Sequence, residues 1–425
     1  MTRTSHINWS RRVPVRYDAD VAVIGGGMAG VSAACAAAKS GARVVLVERF
    51  AVTGGMMTTG GVPGFCGELG GQGEVFDEIT EGLHAFGALG TRDRDTAYGR
   101  ETSFDHELLA VVLQEVLLRR KVKLLLHTRF VDARVRRRRI TECVVCGASG
   151  PEALRARVFV DCTGEAALAR AAGFETVKGR PEDGLQLPMS MMFTVRETSE
   201  RVQPQVPRGW FERFRKADDL PMTGAVPDGP GTRAVKVKVP GFDAADTEDL
   251  TAAEVHARRR MMVVLDWFQR VKRKPWRFSH AATIIGIREG RRIVGDYLLT
   301  VDDLRAGRTF DAAVARGNYT LDAHDPADDK RTYILPPAER VVPPYQIPWR
   351  TLVARDGSNL AMAGRCFSAD QLALSSARVA TTASMLGQAA GVGAALAAKR
   401  RCSLHKIDGR DVRRIVVRRG ARLDT

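Results

Sequence analysis

Cysteine is scarce: seven residues in a chain of 425 cannot make the dense disulfide framework of a small secreted scaffold, so a reducing compartment is expected. Aromatic residues are also few, at 6%, which argues against stacking platforms for single-stranded nucleic acid. Acidic residues are outnumbered, with 49 Asp plus Glu against 65 Lys plus Arg and a net charge of +16. Such an excess invites a nucleic-acid or membrane-surface reading. The basic residues, however, come in short bursts, RRKVK at 119–123, RRRR at 136–139 and KRK at 272–274, without interleaved aromatics. Nucleic acid is therefore not the expected partner. Long apolar runs are missing too. The alanine-rich stretch 383–398 is interrupted by Gly387, Gln388, Gly391 and Gly393, so no membrane span is expected. Arg3, Arg11, Arg12 and Arg16 crowd the first twenty residues with no apolar segment ahead of the first strand, the opposite of a secretory leader. SRR at 10–12 has the look of a twin-arginine start, but the apolar segment after it reads as strand and helix. The expectation is a cytoplasmic protein with two substantial buried cores.

The richest signal lies near the start. DVAVI at 20–24 is a short apolar strand running into GGGMAG, and a small-residue helix follows. Gly25, Gly27 and Gly30 match GxGxxG in the context that gives the motif meaning: a tight turn, close backbone approach to a pyrophosphate, and close helix–strand contact. The helix start offers unpaired N–H groups and the positive end of the dipole to phosphates. A second strand, RVVLVE, ends in Glu48, eighteen residues beyond Gly30, where a carboxylate can accept ribose hydroxyls. The glycine-rich loop AVTGGMMTTGGVPG suits a backbone wrapped round a long cofactor. ALRARVFVDCTGEAALARAAG brings another strand, ending at Asp161, to the same place. NLAMAGRCFSADQ does so a third time near the C-terminus, ahead of a long helix whose Thr381, Thr382 and Ser384 fall in its first turn.

VIGGGMAG, ERFAVTGGMMTTGG, VDCTGEAALA, IGIREGRRIVGDYLLT, YQIPWRTL, NLAMAGRCFSADQLALSSARV and LGQAAGVGAALA run in order from about residue 20 to 400. In this the sequence resembles FAD-dependent oxidoreductases of the glutathione-reductase-type flavin fold, in the branch with a GGM loop, an IGIRExRRIxG segment and a YQIPxRxL tail. The resemblance implies an α/β fold: a Rossmann-like FAD-binding domain in two parts, 18–175 and 341–425, with an inserted α+β substrate domain at 176–340. It implies FAD held by Gly25, Gly27, Met28, Ala29, Gly30, Glu48, Arg49, Gly55, Met56, Met57, Phe130, Thr163, Gly164, Gly364 and Arg365. The expected activity is a dehydrogenase or oxidase passing hydride between a small organic substrate and the flavin, with the electron acceptor and any self-association open. A nucleic-acid-associated flavoprotein, suggested by the charge, is the alternative, and a flavin-free binding protein is a third reading.

A second GxGxxG unit is not seen, so a dedicated nicotinamide domain is not expected. CVVC at 143–146 lies in an alternating strand pattern, where positions three apart face opposite sides; redox disulfide chemistry needs the pair at a helix start. Cys66 follows the GGM loop closely and reads first as a packed thiol. The eight histidines form no metal-ligand pattern. Residues 129–147 read as a meander between cofactor strands, with RRRR at its turn. In 250–273, Val255, Met262, Val263 and Trp267 suggest the apolar stripe of a helix. IIGI and IVGDYLL, at 284–287 and 293–299, read as two strands joined through REGRR. Arg288 and Arg292 are the expected catalytic or substrate-binding residues, since a guanidinium offers fixed bidentate donors to a carboxylate, with Glu289 orienting them. His280, Tyr297 and Asp322 with His324 are secondary acid–base candidates.

Overall fold

The computed structural model describes residues 10–90, 94–96 and 99–424; Arg3 and the rest of the first nine residues lie outside them. The strand Val15–Ile24 sits at the centre of the main sheet, and its last four residues are all buried. Parallel strands covered on both faces need such unbroken apolar runs. It pairs in parallel with Val44–Val47 on one side and Gly150–Asp161 on the other. Lys123–Leu125 extends the sheet beyond Val44–Val47, and Leu360–Met362 lies parallel to the end of Gly150–Asp161. The five strands therefore bring their C-terminal ends to one edge, where open α/β sheets bind ligands. The first half of Gly150–Asp161 pairs instead with Arg139–Gly147, which pairs back to Arg129–Arg136. This is the expected meander. Arg137 and Arg138 make its exposed turn, with φ of 48° and 62°.

The helices Met28–Lys39 and Ala380–Arg400 pack closely behind the sheet because glycine faces backbone. A Cβ at Gly387 would lie 2.1 Å from the Ala29 carbonyl oxygen, and one at Gly391 equally close to that of Ala33. The small residues read from the sequence are thus required by contact distance. Among the described residues no single helix is long and apolar enough to cross a membrane.

A second core stands on a four-stranded antiparallel sheet in the order Thr223–Gly229, Thr232–Val239, Met189–Glu197, Trp276–Ala281. Strand alternation divides its side chains. Met189, Met191, Phe193, Val195, Val235, Val237 and Val239 join the core beneath the helix Thr247–Arg270. Ser190, Met192, Thr194, Ala234, Lys236 and Lys238 occupy the opposite face. That face meets the first domain at the glycine loop, where a Cβ at Gly61 would be 3.3 Å from the Met192 Cβ.

Two sequence expectations change. The second core draws its buried residues from Met189 to Ile287, and Ile293, Leu299, Leu304 and Leu321 pack in the first. In the long helix Val263 and Trp267 are buried as expected and Met262 is half-buried, but Val255 is exposed, and Ala253, Ala257, Met261, Val264 and Leu265 join the core; near its start alanine, not valine, faces the sheet. The segment 284–298 is not a pair of strands. Residues 284–290 make one bridge, Gly286 to Ser190, and the strand is Arg291–Ile293, paired with Thr176–Lys178. The physical reason is that this stretch threads between domains: a Cβ at Gly290 would be 2.9 Å from the Gly164 carbonyl oxygen.

Candidate active site

A cavity of about 510 Å³ opens at the C-terminal edge of the parallel strands. Its walls include Gly25, Gly27, Met28, Ala29, Glu48, Arg49, Gly55, Met56, Met57, Phe130, Thr163, Gly164, Gly364 and Arg365. Of the fifteen positions expected to hold cofactor, Gly30 alone is set back. Its Cβ would lie 1.8 Å from the Gly25 carbonyl oxygen, so it serves the close turn beneath the cavity.

The lining suits a dinucleotide. Gly27 caps the helix Met28–Lys39 with no side-chain hydrogen bond, leaving N–H groups of the first turn to the cavity. A Cβ on Gly27 would meet no atom within 4 Å, which is open space where a pyrophosphate can approach backbone. Glu48 is buried, accepting from the N–H of Gly26 (2.6 Å) and of Phe50 (2.9 Å). Burial pushes its carboxyl up, while those two N–H groups pull it back. Asp161 fixes the third approach: Oδ1 accepts from the backbone N–H and hydroxyl of Thr163, Oδ2 from the N–H groups of Leu168 and Ala169. Arg365 is half-buried and donates through Nη1 to the Ile287 carbonyl (2.8 Å), while its Nε has no hydrogen-bond partner among the described residues. Arg49 and Glu165 close one wall with a two-pronged ion pair at 3.1 and 3.3 Å.

At another wall, Arg378, Ala380 and Ala383 bring the start of the long C-terminal helix to the cavity. Two hydroxyls near its start are already engaged: Thr381 donates to the Cys66 carbonyl (3.0 Å), and Ser384 shares a hydrogen bond with Ser32 (2.7 Å). Arg378 leads into a second, deeper group. It pairs with Asp322, whose other oxygen is 3.1 Å from His324 Nε2. Arg378, His324 and Arg288 hold the Asp322 carboxyl well below the usual range despite its burial. Burial, with Arg288 nearby, lowers His324 to about 3; the ring is neutral at pH 7, donates from Nε2 to Asp322, and leaves Nδ1 without a partner among the described residues. The Tyr319 hydroxyl and the Cys66 thiol lie against each other, and burial pushes Tyr319 up and Cys66 to about 12. Cys66 is therefore a protonated thiol at neutral pH, and nucleophilic or redox thiol chemistry needs the thiolate. All seven cysteines are free. In CVVC, Cys143 is buried and Cys146 half-buried on one strand.

Three of the four charged residues of the REGRR segment, Arg288, Glu289 and Arg292, part company. Arg288 enters the deep group: Nη1 donates to the Pro188 carbonyl and the Ser190 hydroxyl, both at 2.7 Å, and Asp322, Arg378 and Tyr333 act on it electrostatically. Glu289 and Arg292 do not reach either site. The Glu289 carboxylate accepts from Arg292 and from the N–H of Gly179 (3.0 Å), the N–H of Leu187 (2.8 Å) and the Gln371 amide (2.7 Å). Arg292 also donates to the Gly179 carbonyl (2.8 Å). Both are buried, and every carboxylate lone pair is committed, so the expectation that they touch substrate is corrected to a structural pair clamping 179–187 to the helix at Gln371. His280 is exposed. Tyr297 donates to Asp303 (2.9 Å), within an ion-paired turn. Of the secondary candidates only Asp322 and His324 join the deep group. Sequence reading missed Arg378, Lys236 and Tyr319, whose only local signal is the VKVKV alternation at 235–239, which puts both lysines on one face of a strand.

Residues 20–416 match the model of the FAD dependent oxidoreductase family, and the chain belongs to that family. It is accordingly an FAD-dependent oxidoreductase on an FAD-binding α/β fold. Among curated proteins none matches it. The solved structure of BexE, studied for oxidation during BE-7585A biosynthesis, is 16% identical over 94% of this chain and 67% of its own, with a TM-score of 0.51, and shares the fold. OxyS anhydrotetracycline hydroxylase from Streptomyces rimosus is 14% identical over 95% of this chain and 68% of its own, with a TM-score of 0.49. A geranylgeranyl bacteriochlorophyll reductase-like protein from Thermoplasma acidophilum is 12% identical over 96% and 92%, with a TM-score of 0.47.

Proposed function

We propose that this flavoenzyme exchanges hydride with a small organic molecule carrying a carboxylate, anchored by Arg288 and covered by the inserted domain, on a fold of the glutathione-reductase type. The observation that carries the reading is the deep group joined to the cofactor cavity through Arg378. There Arg288, Arg378 and Lys236 face the carboxylates of Asp322 and Glu101, an excess of one positive charge in a site largely removed from water. A substrate carboxylate neutralises that excess, and at low effective dielectric the attraction is strong. FAD, when bound, supplies the two-electron chemistry. Gly25, Gly27, Met28 and Ala29 would hold its pyrophosphate, Glu48 its ribose, and Gly55 to Met57, Thr163, Gly164, Gly364 and Arg365 its remaining length. The chain's own contribution is positional: Arg288 fixes the acid group, Asp322 holds Arg378 in place, and the neutral His324 and protonated Tyr319 offer hydrogen bonds without adding charge.

The test is anaerobic mixing of flavin-loaded protein with small 2-hydroxy and 2-amino acids and, in parallel, their methyl esters. For the reverse direction, photoreduced protein is mixed with unsaturated acids and their esters. Acids are expected to change the flavin's oxidation state, with esters at least about tenfold slower. Esters that react as well as acids would overturn the reading.

A further inference from the structure

Lys236 brings a positive charge to the deep group. It lies on the strand Thr232–Val239, on the sheet face opposite the second core, two residues before Lys238. The two lysines differ in one respect. Lys238 Nζ is tied to two backbone carbonyls of the neighbouring loop, those of Asp328 and Arg331. Lys236 is half-buried, yet it makes no hydrogen bond or ion pair among the described residues. Opposite it, the adjacent strand carries Gly224, whose Cβ would lie 3.9 Å from the Lys236 Cε, so the stem has room to extend.

Groups from four other segments act on this ammonium: Arg288, Asp322, Glu101 from the strand Gly99–Ser103, and Cys66 from Gly64–Cys66. Cys66 is a neutral thiol, and Asp322 is already paired with Arg378. Arg288 is a like charge, and its Nη2, unlike Nη1, donates to nothing among the described residues. Two cations with unspent donors, held near each other at the inner end of a cofactor cavity and facing only Asp322 and Glu101, both of which have other partners, gain from a further anion between them.

We propose that Lys236 and Arg288 are the two arms of one clamp that binds the substrate carboxylate. The proposal rests on the reading of the deep group as the substrate site. Burial and the Arg288 charge bring Lys236 down from 10.5 to about 8, and Arg288 to about 10. In the ligand-free protein the lysine therefore loses its charge first as pH rises. An anion favours the charged form, so affinity for a carboxylate is full below about pH 8 and falls above it, while Arg288 still holds one contact.

The probe is benzoate, titrated into the flavin-loaded protein from pH 6.5 to 9.5 (a range set by roughly ±1.5 units around the lysine) and followed both by the flavin absorbance and by calorimetry. Wild type is expected to lose affinity above about pH 8, levelling off at the affinity that Arg288 alone sustains, about tenfold lower. Lys236→Met is expected to bind benzoate about tenfold or more weakly at pH 7, without that break. It is also expected to melt at a higher temperature than wild type when ligand-free, because it removes a buried like charge; a merely structural lysine would not behave so. Lys236→Arg is expected to bind at pH 7 and to stay bound through pH 9, since guanidinium does not titrate there. Wild-type affinity that is flat across the range overturns the proposal even if no variant folds. Normal benzoate binding in Lys236→Met with loss in Arg288→Met overturns the lysine's role alone. No effect in either variant overturns the substrate site as well. Inorganic phosphate binding more tightly than benzoate would contradict the carboxylate assignment.

Discussion

Glu289→Ala is expected to destabilise the protein by about 3–5 kcal/mol, the cost of removing one partner from a buried ion pair, while leaving the chemistry of the folded, flavin-loaded fraction unchanged. The reasoning is one of unpaired groups. Glu289 is 1% exposed and takes four donors, from Arg292, Gly179, Leu187 and Gln371. Without the carboxylate, the Arg292 guanidinium, only 4% exposed, keeps the Gly179 carbonyl but has no countercharge, and two backbone N–H groups lose their acceptor. Glu289→Gln keeps one acceptor oxygen and is expected to cost less. Thermal unfolding beside turnover per bound flavin makes the check. A normal melting temperature with lost turnover would return Glu289 to the substrate site.

Arg288→Met is expected to do the reverse: lower kcat/KM for an acid substrate by about a hundredfold, mostly through KM, with little loss of stability. Arg288 spends Nη1 on Pro188 and Ser190 and lies among groups that include the like charges of Arg378 and Lys236, so a methionine of comparable reach removes repulsion as well as hydrogen bonds. The ester of the same substrate, which presents no full charge, is expected to be nearly indifferent to the change. Equal losses for acid and ester would mean that the arginine shapes the cavity instead of binding a carboxylate.

How much of this was readable in the sequence follows from where the information lies. The cofactor cavity is built from short contiguous motifs, each a strand end and a turn, so Gly25 to Gly30, Glu48, Thr163 with Gly164, and Gly364 with Arg365 could be read locally, and all but Gly26 and Gly30 line the cavity. The deep group is assembled from separate segments: Cys66, Lys236, Arg288, Asp322 with His324, and Arg378. No spacing rule connects them, and a charged residue in any one segment looks like a solvated one. REGRR shows the limit most plainly. Arg288 and Arg292 are four apart in one polar stretch, yet the chain turns from an irregular crossing into the strand Arg291–Ile293 between them, sending one to the deep group and the other into a closed ion pair. Only tertiary packing distinguishes two such arginines.

The central claim is that the deep group selects for negative charge next to the flavin. Titrating flavin-loaded protein with benzoate and with benzamide, its neutral analogue of nearly the same shape, and following the visible flavin band, tests it most directly. Saturable perturbation by benzoate with benzamide at least about tenfold weaker is the predicted result. Equal affinity for the two, or perturbation by benzamide alone, would contradict it.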